Sequence, residues 1–505
     1  MKFAPLATML ACMSAVAAPP IFTDIEETTT KNAALDDALI GTFVIDFDQI
    51  AYSTFRDGDR EIVLDHPVVG QALDLDLPLV GRLRLEISRV HEIVDGVHTI
   101  TGEVSNDPTG SFVLSRSAEG LVGNVFTNGK SWDISPLGHN GYHTIQVIDR
   151  TKLARSPDDV FGGDDAGTKS TTAAKTLGSG NVRVLFLHAS NVTNASSRAS
   201  SIAADMNSLL SSNSIPPSRY FTVAGVEQVS STFSGLSRST IIFDMEDYDP
   251  PFTNLTTMMQ DAYADMVMLI TKEDATANDI PPYGRVGGAT YSWHNSGADP
   301  FSMVTETYAL GDRSAAHELG HAVGGEHSNS GAFGRRGYTA SDGDWQTIMG
   351  GYTEGSCTFG GLPAACERIP YFSTPTTQYD GETIGSAAQN MNGWLSGNGM
   401  LIASGWEVDP PPPPSAPTGL SASSEQCFGL YDVSWNTVSG TTEYKLFKSN
   451  SSGFGSALEI YSGSSANTFI NVTSGTWYLR AKACNAGGCS GYSNQVSATR
   501  LSQCF

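Results

Sequence analysis

Three histidines and a glutamate within eleven residues form the most reactive pattern in this 505-residue chain. His317, Glu318, His321, Gly324 and His327 fit the pattern H-E-x-x-H-x-x-G-x-x-H. On a helix, His317 and His321 are four residues apart, so their imidazoles project from one face and can bind the same ion. Gly324 stands where a helix commonly ends in a left-handed turn, which would bring His327 back as a third ligand. We expect one metal site with three histidine ligands.

Three neutral histidine nitrogens would leave one position of a tetrahedral zinc ion open, which is typical of catalytic zinc sites. A water molecule there becomes more acidic, and the neighbouring carboxylate of Glu318 can accept its proton. The pattern therefore predicts one catalytic Zn²⁺ bound by His317, His321 and His327, with Glu318 as general base in the hydrolysis of peptide bonds. A bare H-E-x-x-H also arises by chance on amphipathic helices, but the extended pattern fixes three histidines. The spacing leaves open whether calcium is also bound.

The same motif is the signature of the metzincin metallopeptidases, and the sequence around it is most similar to the reprolysin (adamalysin) branch, particularly its bacterial members. Residues 347–350, Thr-Ile-Met-Gly, resemble the Met-turn of that family, and residues 368–375 resemble the segment that follows it. The resemblance implies an α/β catalytic domain over residues 181–408, with a mixed twisted sheet and a zinc helix. It also implies that Met349 shapes the floor of the site without touching substrate.

The substrate is expected along an edge strand of this domain. Residues 287–293 resemble the edge strand that lines the substrate in this family, and residues 264–270 resemble its central strand. By this resemblance Gly287, Gly288 and Ala289 line an extended substrate that pairs through its backbone. In other metzincin branches a tyrosine two residues after the methionine approaches the zinc. Here Tyr352 comes three residues after it, so we do not predict it as a ligand.

Local patterns predict the elements that position the site. The apolar run 182–187 predicts a buried strand, and residues 196–211 have helical apolar spacing. Residues 241–243, Ile-Ile-Phe, are interpreted as a further strand. Asp312 or Ser314 is expected to cap the helix that carries His317 and His321.

Charge limits the partners of this chain. It has 53 acidic and 29 basic side chains and a formal net charge of −24, which argues against nucleic acid and anionic membranes. Solubility is the simplest reason for such an excess. No later stretch has eighteen uninterrupted apolar residues, so we expect no membrane span. The expected partners are protein or peptide substrates, and we expect a monomer.

The first residues and the cysteines both predict export. Residues 1–18 have the basic Lys2, an apolar segment and a small-residue cleavage site at 15–17, as in a signal peptide. Disulfides are typical of oxidising compartments outside the cytoplasm. Clustering favours one local bridge in the catalytic domain and two in the tail. The six candidate cysteines are Cys357, Cys366, Cys427, Cys484, Cys489 and Cys504.

Residues 19–150 are predicted to form a β-rich domain from short alternating runs between Gly, Asp and Asn turns. Its place before a secreted peptidase indicates a pro-domain that blocks the active site until removal. No cysteine lies between Cys12 and Cys357, so no thiolate of this domain can occupy the open position on the metal. Latency would need a carboxylate, such as Asp57 or Asp59, a histidine or steric cover. The alternative is a permanent domain that binds substrate or a surface.

Two linkers separate the domains. Residues 151–180 are rich in small and polar residues, so we predict an exposed linker that contains the maturation site. Residues 409–417 contain an unbroken proline run and are predicted to be a stiff spacer. Residues 418–505 resemble a fibronectin type III domain, a C-terminal β-sandwich, with Trp435 in an early strand.

The sequence thus predicts a multidomain, secreted zinc endopeptidase made as a zymogen: signal peptide, β-rich pro-domain, metzincin domain and fibronectin-like tail. The alternative is a surface-binding or adhesive protein with an inactive peptidase domain. The intact set of three histidines and Glu318 argues for the enzyme.

Overall fold

The computed structural model describes twenty segments of the chain: residues 24–26, 39–46, 67, 69–94, 97–117, 120–136, 142–149, 159–161, 178, 180–272, 288–291, 301–328, 333–350, 358–359, 362–363, 366–405, 411–423, 430–454, 457–472 and 475–500. Several predictions fall outside them: the signal peptide, Asp57, Asp59, Gly287, Tyr352, Cys357, Cys427 and Cys504. Of the helices within these segments, none has the length and apolar character needed to cross a membrane.

The N-terminal region is an antiparallel sheet, which confirms that it is β-rich. Its strand order is β1-β2-β9-β8-β7-β6-β5-β4-β3, so β3 to β9 follow one another as a meander. One face encloses an apolar cluster that includes Leu75, Leu114 and Trp132. The strands are β1 Asp24–Glu26, β2 Leu39–Asp46, β3 Ala72–Leu77, β4 Gly81–Val94, β5 Val97–Val104, β6 Ser111–Ser117, β7 Gly120–Thr127, β8 Lys130–Pro136 and β9 Tyr142–Asp149.

The next region is a mixed sheet with helices, as the sequence predicts for the catalytic domain. Its order is β10-β14-β15-β13-β11-β12, and the β14–β15 pair is antiparallel while the other pairs are parallel. The elements are β10 Asp159–Phe161, β11 Val182–His188, α1 Ala195–Ser212, β12 Phe221–Gln228, α2 Arg238–Glu246, α3 Leu255–Ala262, β13 Met266–Thr271, β14 Gly288–Tyr291, β15 Phe301–Thr305, α4 Glu306–Gly311 and α5 Ser314–Ala322.

A region with short elements follows α5 and completes the surroundings of the site. Trp345, Ile369 and Ile384 form a small core there. Its elements are β16 Trp345–Gln346, β17 Thr358–Phe359, β18 Leu362–Pro363, β19 Glu367–Arg368, β20 Gln378–Tyr379, β21 Glu382–Thr383, α6 Met391–Trp394, a π-helical turn Leu395–Gly399 and α7 Met400–Ala403.

Two local predictions in this region have different outcomes. The helix predicted over 196–211 is confirmed as α1. The strand predicted over 241–243 is wrong, because these residues lie inside α2. The Ser237 hydroxyl accepts a hydrogen bond from the Thr240 backbone N–H and caps this helix. Three apolar residues are too few to distinguish a strand from a helix by period.

The linker predicted over residues 151–180 also needs correction. Its residues Asp159–Phe161 form β10, which pairs in parallel with β14, with Val160 opposite Thr290. The pairing joins positions about 130 residues apart, so no local pattern predicts it. Without β10, β14 would be the edge strand of the sheet.

The outer face of the N-terminal sheet packs against the catalytic region through polar side chains. The Ser115 and Ser201 hydroxyls lie 2.6 Å apart, and Arg198 donates to the Ser135 hydroxyl at 2.9 Å. Arg198 also lies 3.3 Å from the carboxylate of Glu306. The sheet is therefore buried on both faces where it meets α1 and α4.

The C-terminal region has two small sheets around one core. Their orders are β22-β23-β26 and β25-β24-β27-β28, with β29 paired to β27. Trp435, Leu446 and Leu479 lie in the core between them. Cys484 and Cys489 form a disulfide, and Cys366 in the preceding region is also disulfide-bonded. The strands are β22 Ser421–Ala422, β23 Leu430–Ser434, β24 Glu443–Ser449, β25 Leu458–Gly463, β26 Asn467–Asn471, β27 Gly475–Asn485, β28 Gly488–Cys489 and β29 Val496–Arg500.

Candidate metal centre

The helix α5 carries His317, Glu318 and His321, and every residue of it is buried. It begins after Arg313, whose backbone is left-handed with φ 62°. The Asp312 carboxylate accepts hydrogen bonds from the backbone N–H and the hydroxyl of Ser314, at 3.0 and 2.5 Å. Asp312 therefore accepts the hydrogen bond of a backbone N–H in the first turn of α5, although Arg313 occupies the N-cap position.

The end of α5 turns the chain back toward the histidines. Gly324 has φ 94°, a left-handed conformation that glycine adopts at little cost. Its N–H donates to the His321 carbonyl, and the Gly325 N–H donates to the Gly320 carbonyl, both at 2.8 Å. The indole N–H of Trp394 donates to the Val323 carbonyl at 2.8 Å. This turn, which the sequence predicts at Gly324, brings His327 beside His317 and His321.

The three imidazoles converge on one point. Their Nε2 atoms are 3.0 Å apart for His317 and His321, 3.1 Å for His317 and His327, and 3.0 Å for His321 and His327. Within the described residues, these histidines are the group of at least three potential ligands whose ligand atoms all lie within 4.8 Å of one another. The structure thus brings together all three of the predicted ligands.

Hydrogen bonds at the other ring nitrogen decide the tautomers. His317 Nδ1 lies 2.6 Å from the Ile348 carbonyl, and His321 Nδ1 lies 2.8 Å from the Gly325 carbonyl. A carbonyl only accepts, so each Nδ1 carries the proton and each Nε2 presents a lone pair. Two such lone pairs cannot hydrogen-bond to each other. They repel unless a cation lies between them.

A tetrahedral zinc ion fits this geometry. Zinc–nitrogen bonds of the usual length require ligand nitrogens about 3.3 Å apart, close to the separations found here. Backbone carbonyls that accept from the outer ring nitrogen are a common feature of histidine metal ligands. His317, His321 and His327 could therefore hold one such ion.

Met349 lies directly beneath the metal-binding turn of α5. It is fully buried, and a Cβ at Gly320 would lie 2.1 Å from its sulfur. Gly320 lies between the two histidine ligands of α5. The Met349 sulfur occupies the space that a side chain at this position would need, so glycine fits there. The preceding residue, Ile348, supplies the carbonyl that binds His317.

Glu318 is fully buried between α5 and β14. The Thr290 hydroxyl lies 2.5 Å from Glu318 Oε2. A Cβ at Gly288 would lie 2.6 Å from Glu318 Cγ, so a glycine is needed there. Of the residues predicted to line the substrate, Gly288 and Ala289 belong to β14.

The sequence does not predict several contacts that the site residues make. Nothing in the local sequence distinguishes the carbonyls of Ile348 and Gly325 from any others. Thr290 lies in the segment interpreted as the edge strand, but its contact with Glu318 depends on how β14 aligns with α5. Arg238 likewise reaches from α2 to the Gly288 carbonyl, at 3.1 Å.

The residue before the third histidine lies in a partly buried ion pair. Glu326 Oε1 is 3.6 Å from a guanidinium nitrogen of Arg335. Burial raises the pKa of Glu326, and the charges of Arg335 and Arg336 lower it in part. The Arg335 guanidinium also lies over the Trp394 ring, 5.1 Å from its centroid. These contacts tie the loop after α5 to α6.

Family models match two parts of the chain. Residues 59–152 match the BamI lipocalin-like domain, and residues 222–384 match metallo-peptidase family M12B, reprolysin-like. The first match covers β3 to β9 of the N-terminal sheet. The second contains α2 to α5 and the three histidines.

Two curated relatives come from Stenotrophomonas maltophilia, strains R551-3 and K279a, and both are named peptidyl-Asp metalloendopeptidase. The first is 25% identical over 378 residues, which is 66% of this chain and 82% of the relative. The second is 25% identical over 373 residues, 65% of this chain and 82% of the relative. Among solved structures, an Fn3-like protein from Clostridium thermocellum is 24% identical, with a TM-score of 0.16 over 18% of this chain and 98% of that one.

The converging histidines and the metallo-peptidase family match lie in the same segment of the chain. The matched segment includes the whole ligand motif and Met349. Residues 222–384 therefore resemble a reprolysin-like metallopeptidase domain of family M12B, and they include all three converging histidines.

Proposed function

We propose that this protein is a secreted, zinc-dependent endopeptidase made as a zymogen. The observation that carries the proposal is the convergence of three Nε2 atoms, with the buried Glu318 next to His317 in the sequence. The metallopeptidase name of the curated relatives supports it. His317, His321 and His327 would hold the zinc ion, and Glu318 would be the general base.

The proposed mechanism assigns one task to each group. Zinc, when bound, supplies a Lewis acid that acidifies water and polarises a peptide carbonyl. Glu318 takes a proton from the attacking water and later passes it to the leaving amine. The carbonyls of Ile348 and Gly325 keep two imidazoles oriented, with Nδ1 protonated. The backbone of β14 binds an extended substrate as an added strand.

The proposed substrate class is based on the name of the two curated relatives. Because they are named for aspartate, we propose peptides containing aspartate as the substrate class of this enzyme. The segment between the first two domains contains Asp158, Asp159, Asp164 and Asp165. Cleavage there by another copy of the enzyme would separate the N-terminal domain, so maturation within residues 151–180 fits the same specificity.

Latency is proposed to come from β10 rather than from a side chain on the metal. β14 pairs with β15 on one side and with β10 on the other. A substrate strand that adds to β14 needs the side that β10 occupies. The N-terminal lipocalin-like domain would then be a pro-domain, and release of residues 159–161 would open the substrate site.

A trans-inhibition assay tests latency. The full chain is compared with the chain cleaved between residues 162 and 177 and freed of its N-terminal fragment. The substrate is an aspartate-containing peptide, and a synthetic peptide of residues 155–165 is added to the cleaved form. We expect the cleaved form to be faster and the peptide to inhibit it, whereas a scrambled peptide does not. Equal rates for full and cleaved chains would rule out β10 as the inhibitory segment.

Zinc dependence has its own test. The purified protein should contain one zinc per chain and degrade casein, and a chelator should stop degradation until zinc is returned. His327→Ala is the matched variant, because it removes one ligand outside α5 and should lower zinc content and activity together. Full activity in a zinc-free protein would overturn the proposal.

The C-terminal region is proposed to be a fibronectin type III-like module that spaces or binds. Two facing sheets with Trp435 between them support this reading. We propose no role for the C-terminal region in peptide cleavage.

A further inference from the structure

Thr290 lies at the centre of the contact between β14 and α5. Its side chain is fully buried, and its Oγ1 is 2.5 Å from Glu318 Oε2 and 3.1 Å from the Glu318 carbonyl oxygen. A threonine hydroxyl has one hydrogen to donate. The carboxylate is the nearer and the charged acceptor, so the hydrogen bond goes to Oε2.

Gly288 contacts the same carboxylate side chain. Alternate residues of a strand share a face, so positions 288 and 290 both face α5. A Cβ at position 288 would lie 2.6 Å from Glu318 Cγ and 2.9 Å from Oε1. β14 therefore meets Glu318 twice: the Glu318 side chain fills the space that a side chain at position 288 would take, and Thr290 donates a hydrogen bond.

β14 itself is held in place. It pairs with β15 over Gly288–Tyr291, and the Arg238 guanidinium donates to the Gly288 carbonyl at 3.1 Å in a buried contact. A donor on a fixed strand restricts the rotation of the carboxylate more than a mobile side chain or water would.

We propose that Thr290 is a positioning residue that orients the carboxylate of Glu318 for proton transfer. The inference rests on the proposed function, since it assumes that Glu318 is the general base. It adds that β14 has two tasks: its backbone binds the substrate, and its buried face sets the orientation of the base. Substrate and base are then aligned by a single element.

Two pairs of variants separate this role from simple packing. Thr290→Val replaces the hydroxyl by a methyl group of similar size and favours a strand, so packing is kept and the donor is lost. Thr290→Ser keeps the donor and loses a methyl group. Thr290→Ala differs from Thr290→Ser only by the loss of the hydroxyl. This second pair tests the hydroxyl if the valine variant does not fold.

The readouts are kcat, KM, zinc content and thermal unfolding, measured on the processed enzyme. We expect kcat to fall by about 10- to 100-fold for valine and alanine, with KM and zinc content little changed. Serine should keep kcat within about threefold of the wild type, although the loss of a buried methyl group should lower its unfolding temperature. Serine would thus lose stability without losing activity, whereas valine and alanine would lose activity.

Other outcomes overturn the inference. If valine keeps the wild-type kcat, or if kcat follows the unfolding temperature across all variants, Thr290 only packs. If the wild type fails to cleave while it binds zinc, the proposed function fails first, and that result is distinct. Gly288→Ala supplies an independent check, because its Cβ displaces Glu318 without removing a donor and should also lower kcat.

Discussion

The guanidinium of Arg313 lies over the ring of Phe126, with 4.6 Å between its central carbon and the ring centroid. Arg313 precedes α5, and Phe126 belongs to the N-terminal sheet. The same guanidinium donates to the Ser111 hydroxyl and to the Arg368 carbonyl, both at 2.9 Å. The N-terminal domain therefore contacts the start of the helix that carries the candidate metal ligands, whereas β10 borders β14.

Replacement of Arg313 by methionine should destabilise this junction. Arg313 is 1% exposed, and its loss leaves the Arg368 carbonyl as a buried acceptor and removes the hydrogen bond to the half-buried Ser111 hydroxyl. We expect the free energy of unfolding to fall by about 2–4 kcal/mol, measured by urea denaturation. Ser111→Ala is the matched control, since it removes one of these hydrogen bonds and should cost about 1 kcal/mol. Equal effects of the two variants would contradict a bridging role for Arg313.

Gly320→Ala should disturb the metal site through Met349. Its Cβ would lie 2.1 Å from the Met349 sulfur, so we expect a loss of about 1–3 kcal/mol in stability and weaker zinc binding. Met349→Ala removes the sulfur, so the double variant should recover part of the affinity lost by Gly320→Ala alone.

Zinc titration and urea denaturation measure both effects. Gly491→Ala is the control, because no heavy atom lies within 4 Å of a Cβ at that position. Strictly additive effects of the two substitutions would show that the sulfur is not the obstacle at Gly320.

Acid should destabilise the N-terminal domain through His91. Burial, helped by the nearby charge of Arg89, lowers the pKa of His91 from 6.5 to about 4. Between these values the unfolded chain takes up a proton that the folded chain does not, so stability falls as the pH falls from about 6.5 to about 4. This group should contribute roughly 2 kcal/mol of that loss.

His91→Gln tests the assignment, since glutamine does not titrate and can still bond to the Thr101 hydroxyl, which lies 3.2 Å from His91 Nε2. Urea midpoints at pH 7 and pH 4.5 should differ less for the variant than for the wild type. The same difference in both proteins would mean that other groups cause the acid sensitivity.

The sequence predicts the parts of the site that depend on local geometry. The spacing of His317 and His321 needs only the helical period, and the turn at Gly324 needs only the conformational freedom of glycine. The roles of Met349 and β14 came from family resemblance, because their neighbours in space are distant in sequence.

The remaining features depend on long-range pairing. Val160 meets Thr290 across about 130 residues, and the choice of that partner is set by the free edge of β14 rather than by the composition of residues 151–180. Thr290 contacts Glu318 because of strand register, which a single sequence does not encode in any short pattern. The strand wrongly predicted at residues 241–243 reflects the weak signal of a three-residue apolar run.

The central claim is that Glu318 activates water at a metal held by three histidines. The direct measurement is casein degradation by the processed wild type and by Glu318→Ala, with zinc content determined for both. The account predicts that both bind one zinc ion per chain, that the wild type degrades casein, and that the variant loses nearly all activity. A zinc-loaded variant that cleaves as fast as the wild type, or a zinc-loaded wild type that does not cleave, would contradict it.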